Sequence, residues 1–164
     1  MTDKWEDREI PHLEHITELF SNETLGAFIT GHLIIESLLV QLIEIKNSNS
    51  NPFEWNFPRK VDKCKDLNLI NIQFSDFLKE MNRVRNKFAH RLGFMPTFAD
   101  IFALLQMASQ AGVEFSDSRV HEDIQVAMNE YDLPDLIQEL FQNTAQEIAF
   151  YLLEQGAEIR FFDS

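Results

Sequence analysis

Hydrophobic and polar positions alternate with helical spacing along most of this chain. Between residues 10 and 20, Leu13, Ile16, Leu19 and Phe20 recur at intervals of three and four, and Pro11 suits a first helical turn. Ser21-Asn22-Glu23-Thr24 reads as a break and a new cap, after which a long helix runs to about Lys46. On a wheel of 100° per residue, Thr30, Ser37, Gln41 and Glu44 form a narrow polar stripe on that helix. Leu33, Ile34, Ile35, Leu38, Leu39, Leu42, Ile43 and Ile45 fill nearly everything else. A helix so apolar is expected near the centre of a bundle.

Two ionisable side chains fall on its apolar side, His32 and Glu36, which sit four apart and therefore on one face. A buried carboxylate requires a partner, because leaving it unpaired costs several kcal/mol, on the order of what a whole core residue contributes. The bland reading is a structural His32–Glu36 pair, or an ion pair between Glu36 and an arginine. The sharper one places Glu36 behind Arg85 or His90 as an orienting group.

Residues 46–56, rich in Asn and Ser, form the clearest loop. Pro58 opens a helix through Val61 and Cys64 to about Leu67. A helix over 75–92 follows, with Ser75 as its cap and Phe77, Leu78, Met81, Val84, Phe88 and Leu92 as its apolar stripe. Asn82, Asn86 and Ala89 give it a second face of small or polar residues. Gly93 to Thr97 is a turn, 98–111 is helical, and 113–118 is a linker. One amphipathic, acidic helix is expected over 119–131, and a last long helix from Leu133-Pro134-Asp135 to Gly156. Phe161 and Phe162, in the tail, are expected to pack back on the domain. The pattern predicts an all-α fold: one helical domain over 1–164, a bundle of about six or seven helices, with packing helices over 98–156 added to a core over 13–92.

Composition narrows the picture. Five Gly and five Pro in 164 residues suit long helices with short joints. Cys64 is the single cysteine, so no internal disulfide forms, and a reducing, cytoplasmic setting is expected. In its register Cys64 reads as a half-buried small hydrophobe rather than a nucleophile. The run 33–45 is interrupted by Glu36, Gln41 and Glu44 and reads as too short to span a bilayer. Fourteen Lys plus Arg against twenty-seven Asp plus Glu give a net charge of −13. Such a surface repels phosphate backbones at long range. Sequence-specific duplex DNA is therefore disfavoured, and any RNA contact has to rest on one local site. No glycine-rich phosphate loop, CxxC, HExxH or GxSxG occurs. His12 and His15 lack a third ligand nearby. Neither a metal nor an organic cofactor is expected.

Against this acidic background one stretch concentrates bases: Arg83-Val84-Arg85-Asn86-Lys87-Phe88-Ala89-His90-Arg91. Arg85 falls at the edge of the apolar stripe. His90, five residues on, is turned about 140° from it round a regular helix. The two side chains do not meet within one copy, but a two-fold dimer can bring them from both copies into one cleft.

Arg85-Asn86-x-x-x-His90 resembles the Arg-x4-6-His motif of the HEPN superfamily, including the polar residue that follows the arginine. The resemblance extends upstream. A long apolar helix carrying Glu36, a short helix, Asp66-Leu67-Asn68-Leu69-Ile70 and then Arg-Asn-x-Phe-Ala-His look like the mannitol-operon-repressor-like branch of HEPN-related proteins. The likeness covers roughly 13–92, which it makes a HEPN-like core. It implies a helical bundle that dimerises through the motif helices. It also implies a metal-independent endoribonuclease of toxin–antitoxin or defence type. In that role Arg85 holds and stabilises the scissile phosphate and His90 transfers a proton. Asn86 positions either group, Lys87 and Arg91 add phosphate-binding charge, and Glu36 and His32 support the site. Whether the chain is an enzyme stays open at this point. The alternative is a non-catalytic regulatory or protein-interaction module, in which the same residues are a structural polar knot. The expected partners are accordingly a second copy of the chain, RNA at a local site, or another protein, and no membrane.

Overall fold

The computed structural model describes residues 17–91 and 93–158. Among these residues the chain is all-helical, with no strand. Residues 17–19 are helical. Seven helices follow: α1 (Glu23–Lys46), α2 (Phe57–Asp66), α3 (Ile72–His90), α4 (Phe98–Gln110), α5 (Arg119–Glu122), α6 (Ile124–Glu130) and α7 (Leu133–Glu154), with a 3₁₀ turn at Pro52–Glu54. His12, His15, Phe161 and Phe162 lie outside the described residues, as does Leu92.

Caps set most of the boundaries. Asn22 accepts from the Leu25 N–H, Asn56 from Arg59, Asn71 from Phe74 and Asp132 from Asp135. Thr97 and Asp100 form a reciprocal capping box at the start of α4. The cap of α3 is Asn71, not Ser75. The extended backbone of Asn71 lets its short amide reach back to the first turn. Ser75 lies one turn inside the helix, buried, and its hydroxyl has no hydrogen-bond partner. The single helix expected over 119–131 is two short ones. Asp123 has extended backbone and caps α6 through the N–H groups of Gln125 and Val126.

Helices α1 and α7 make the most extensive contact in the molecule. Gly31 faces the Phe141 ring so closely that a Cβ there would overlap it. Phe28 packs edge-on against Phe141, with centroids 5.0 Å apart, and also meets Phe88 near the end of α3. At the other end, Phe74 early in α3 touches Tyr151 late in α7. Helix α7 therefore runs alongside α1 in the same direction, and α3 runs opposite to both. Buried side chains from α1 to α4 and from α7 join into one core, which Val120 and Ala127 of α5 and α6 extend.

The polar stripe Thr30, Ser37, Gln41 and Glu44 is exposed as the wheel predicts. It is wider than expected: Leu33 is 57% exposed, Ile34 44% and Ile45 41%. These residues flank the stripe, and α7, α2 and α3 cover the helix from the other side. By length and composition alone α1 is apolar enough to cross a membrane, contrary to the expectation from 33–45. Half of its most apolar window is buried inside the protein, where it serves as a core helix.

The close approach at Gly31 yields a paired test. Overpacking costs about 1–3 kcal/mol, against which alanine's helix preference returns about 1 kcal/mol. Gly31→Ala should lower the melting temperature by about 2–4 °C. At Gly26, where an added Cβ meets nothing within 4 Å, the same change should raise it, by about 0.5–1 kcal/mol of stability.

Candidate functional site

The polar residues of the apolar helix converge on α2 and α3. His32, 3% exposed, stacks on Phe57 at 4.4 Å, and its Nε2 lies 3.0 Å from Asn82 Oδ1. Glu36 accepts a hydrogen bond from the Lys60 ammonium at 2.5 Å. Lys60 is itself 3% exposed and Glu36 about a quarter exposed. Neither a His32–Glu36 hydrogen bond nor a pair between Glu36 and Arg85 or His90 forms. Among the described residues the partner of Glu36 is Lys60, which bonds its Oε1, rather than Arg85 or His90.

Lys60 is the residue that the sequence reading missed, although a signal was present. Phe57, Lys60, Val61 and Cys64 share the buried face of α2. A lysine in that register must find a carboxylate, and Glu36 is the one placed on the facing apolar side. Asn82, expected to leave room for another backbone, supplies the partner for His32.

Arg85 borders this cluster. It is half-buried and makes no hydrogen bond or ion pair among the described residues, yet its charge is felt at His32. Burial pushes the His32 imidazole below its usual range. The Asn82 bond and the Glu36 charge oppose that shift, and Arg85 and Lys60 reinforce it. His32 is thus held neutral beside two cations and one carboxylate.

The other motif residues lie elsewhere on α3. His90 is its last residue and is exposed, as are Asn86 and Arg91. Lys87 is half-buried, with its ammonium 5.4 Å from the centre of the Phe94 ring. Gly93, at φ +81°, makes the turn that returns Phe94 beneath the helix end, where the Phe94 N–H reaches the Arg91 carbonyl. One chain thus brings His32, Glu36, Lys60, Asn82 and Arg85 together and carries His90 and Lys87 round the helix, as the wheel predicts.

Cys64 is fully buried, not half-buried, and burial pushes its thiol up to about 12, which leaves it unreactive. Among the described residues no three His, Cys, Asp or Glu side chains group to hold a metal ion. Comparison with protein-family models, curated proteins and solved structures gives no match.

The depressed His32 carries a pH consequence. Above about pH 6.5, the reference value for histidine, the ring is neutral in both folded and unfolded chains. As pH falls through that value the unfolded chain takes up the proton more readily, so stability drops until pH passes the lower folded-state value. His32→Gln should remove this component. Between pH 7 and pH 5 the melting temperature of the wild type should fall further than that of the variant. Equal falls would show that His32 carries none of the dependence.

Proposed function

We propose that this chain is a HEPN-like protein that acts as a homodimer and cleaves RNA without a metal ion, in the manner of toxin–antitoxin or defence ribonucleases. The observation that carries the reading is the state of Arg85. A half-buried guanidinium next to a carboxylate-bearing cluster would ordinarily be paired, and this one is not, because Lys60 satisfies Glu36. That leaves an unpaired cation available to an external anion. His90, exposed at the end of the same helix, is the motif side chain that can both accept and donate a proton. Within one chain the two point apart, so the productive cleft takes Arg85 from one copy and His90 from the other.

In that cleft the 2′-oxygen attacks the adjacent phosphorus, the bond from phosphorus to the 5′-oxygen breaks, and a 2′,3′-cyclic phosphate is left. Arg85 holds the phosphate and meets its developing charge. His90 takes the proton from the 2′-hydroxyl or delivers one to the leaving 5′-oxygen, water makes the other of the two transfers, and Asn86 positions either group. Lys87 and Arg91 supply local positive potential against the −13 of the whole chain.

A second reading is a non-catalytic module that binds a protein, of the mannitol-operon-repressor-like type. The exposed Leu33 and Ile34 on α1, and Phe150 and Leu153 on α7, favour it, since apolar surface of this kind suits a protein partner.

The two readings separate in one assay. Purified protein should cleave single-stranded RNA in the presence of EDTA and leave cyclic phosphate ends. Arg85→Ala and His90→Ala should each slow cleavage by about 100-fold or more while melting within a few degrees of the wild type. Wild-type protein that leaves RNA intact, or variants that cleave it as fast, would overturn the ribonuclease reading.

A further inference from the structure

On the side of α3 away from Arg85, a cleft of about 210 Å³ opens between α3 and α4. Phe94 and Met107 give it apolar walls. Arg83 and Lys87 on one helix, with Glu80 and Asp100, line its rim. The volume suits one ring system rather than a drug-sized ligand, whose sites run to about 300–1,000 Å³.

The four charged groups are not equivalent. Arg83 is engaged by Glu80, its Nε donating to both carboxylate oxygens at 3.0 and 2.9 Å. Asp100 is held in the capping box by the Thr97 N–H. Among the described residues Lys87 makes no ion pair, and its ammonium rests over the Phe94 ring. At 5.4 Å from the ring centre, near the outer limit of about 6 Å, this cation–π contact is weak, so an aromatic ligand can replace the ammonium on the ring and leave it free for an anion. Phe88 packs against Phe94, centroids 5.5 Å apart, and holds the ring in place.

Position ties the cleft to the motif. Arg83, Lys87 and His90 fall within about 60° of one another round α3, and Lys87 is one turn before His90. A ring in the cleft with its phosphate at Lys87 would therefore place that phosphate beside His90.

We propose that the α3–α4 cleft is a nucleobase pocket, which takes one base of an RNA strand on Phe94 and Met107 with Lys87 on its phosphate. This inference rests on the reading of α3 as an RNA-facing helix. Stacking on an aromatic side chain accepts any base. The fixed carboxylates of Glu80 and Asp100 favour bases that offer exocyclic amino groups, so the pocket prefers adenine, cytosine or guanine to uracil, which has none.

The test is titration of the full chain with AMP, CMP, GMP and UMP, and separately with inorganic phosphate, followed by NMR. AMP, CMP and GMP should bind saturably, shift the signals of Phe94 and Ala103, and bind more tightly than UMP or phosphate. Ala103 lines the cleft and is exposed, so Ala103→Trp fills it from the solvent side. That change should weaken nucleotide binding by about tenfold or more and leave the melting temperature near that of the wild type. Should Ala103→Trp fail to fold, Lys87→Met serves in its place and should abolish the advantage of AMP over adenosine. No saturable nucleotide binding, phosphate binding as tightly as AMP, or undiminished binding by the filled or lysine-less cleft would overturn the pocket. Nucleotide binding by protein that leaves RNA intact would sink the ribonuclease reading and keep the pocket. RNA cleavage without nucleotide binding would do the reverse.

Discussion

The ion pair between Lys60 and Glu36 is the constraint on which the site depends. Helix α1 places a carboxylate on its core-facing side, where an unpaired charge costs several kcal/mol. Helix α2 answers with a lysine in the register of its own apolar residues. The pair joins α2 to α1 and, with the His32–Asn82 bond, joins α1 to α3. These two links run across the middle of an otherwise greasy bundle and specify how the three helices slide against one another. Removal of one partner from such a pair is expected to cost about 3–5 kcal/mol where burial is complete. Glu36 is a quarter exposed and sits below that limit.

The pair also decides what happens outside the core. With Glu36 occupied, Arg85 keeps its charge uncommitted at the border of the cluster. The polar knot, shared by α1, α2 and α3, and the motif on α3 are therefore separate devices. His32, Asn82, Glu36 and Lys60 satisfy one another without the motif. Arg85 is left on one side of α3, with Lys87 and His90 on the other, available to a ligand or a second copy. A protein with a net charge of −13 thus presents cations along one helix end.

Much of this was legible in the sequence, in physically distinct ways. The limits of α1 and α7 followed from cap chemistry and 3.6-residue periodicity, and Asn22 stands where the cap was expected. The divergence of Arg85 and His90 followed from helix geometry alone. The exposure of Leu33 and Ile34 did not follow, because periodicity tells which residues are apolar and not how many neighbours a helix has. Serine at a helix start is a strong local signal and points to Ser75 as the cap, yet Asn71, four residues earlier, has the same chemistry and does the capping. The break at Asp123 was hidden by amphipathic spacing that continues through it. The Lys60–Glu36 pair joins residues 24 apart on different helices. Each residue carried a signal that it needed a partner, but only packing paired them.

The central claim is that Arg85 and His90 act together across a two-fold, each supplied by a different copy. The most direct measurement mixes two inactive proteins. Arg85→Ala and His90→Ala, unfolded together in equal amounts and refolded, would form mixed dimers with one cleft intact and one doubly altered. RNA cleavage should return to about a quarter of the wild-type rate, since half the dimers are mixed and each has one working cleft. A mixture as inactive as its components, with mixed dimers present, would contradict the account.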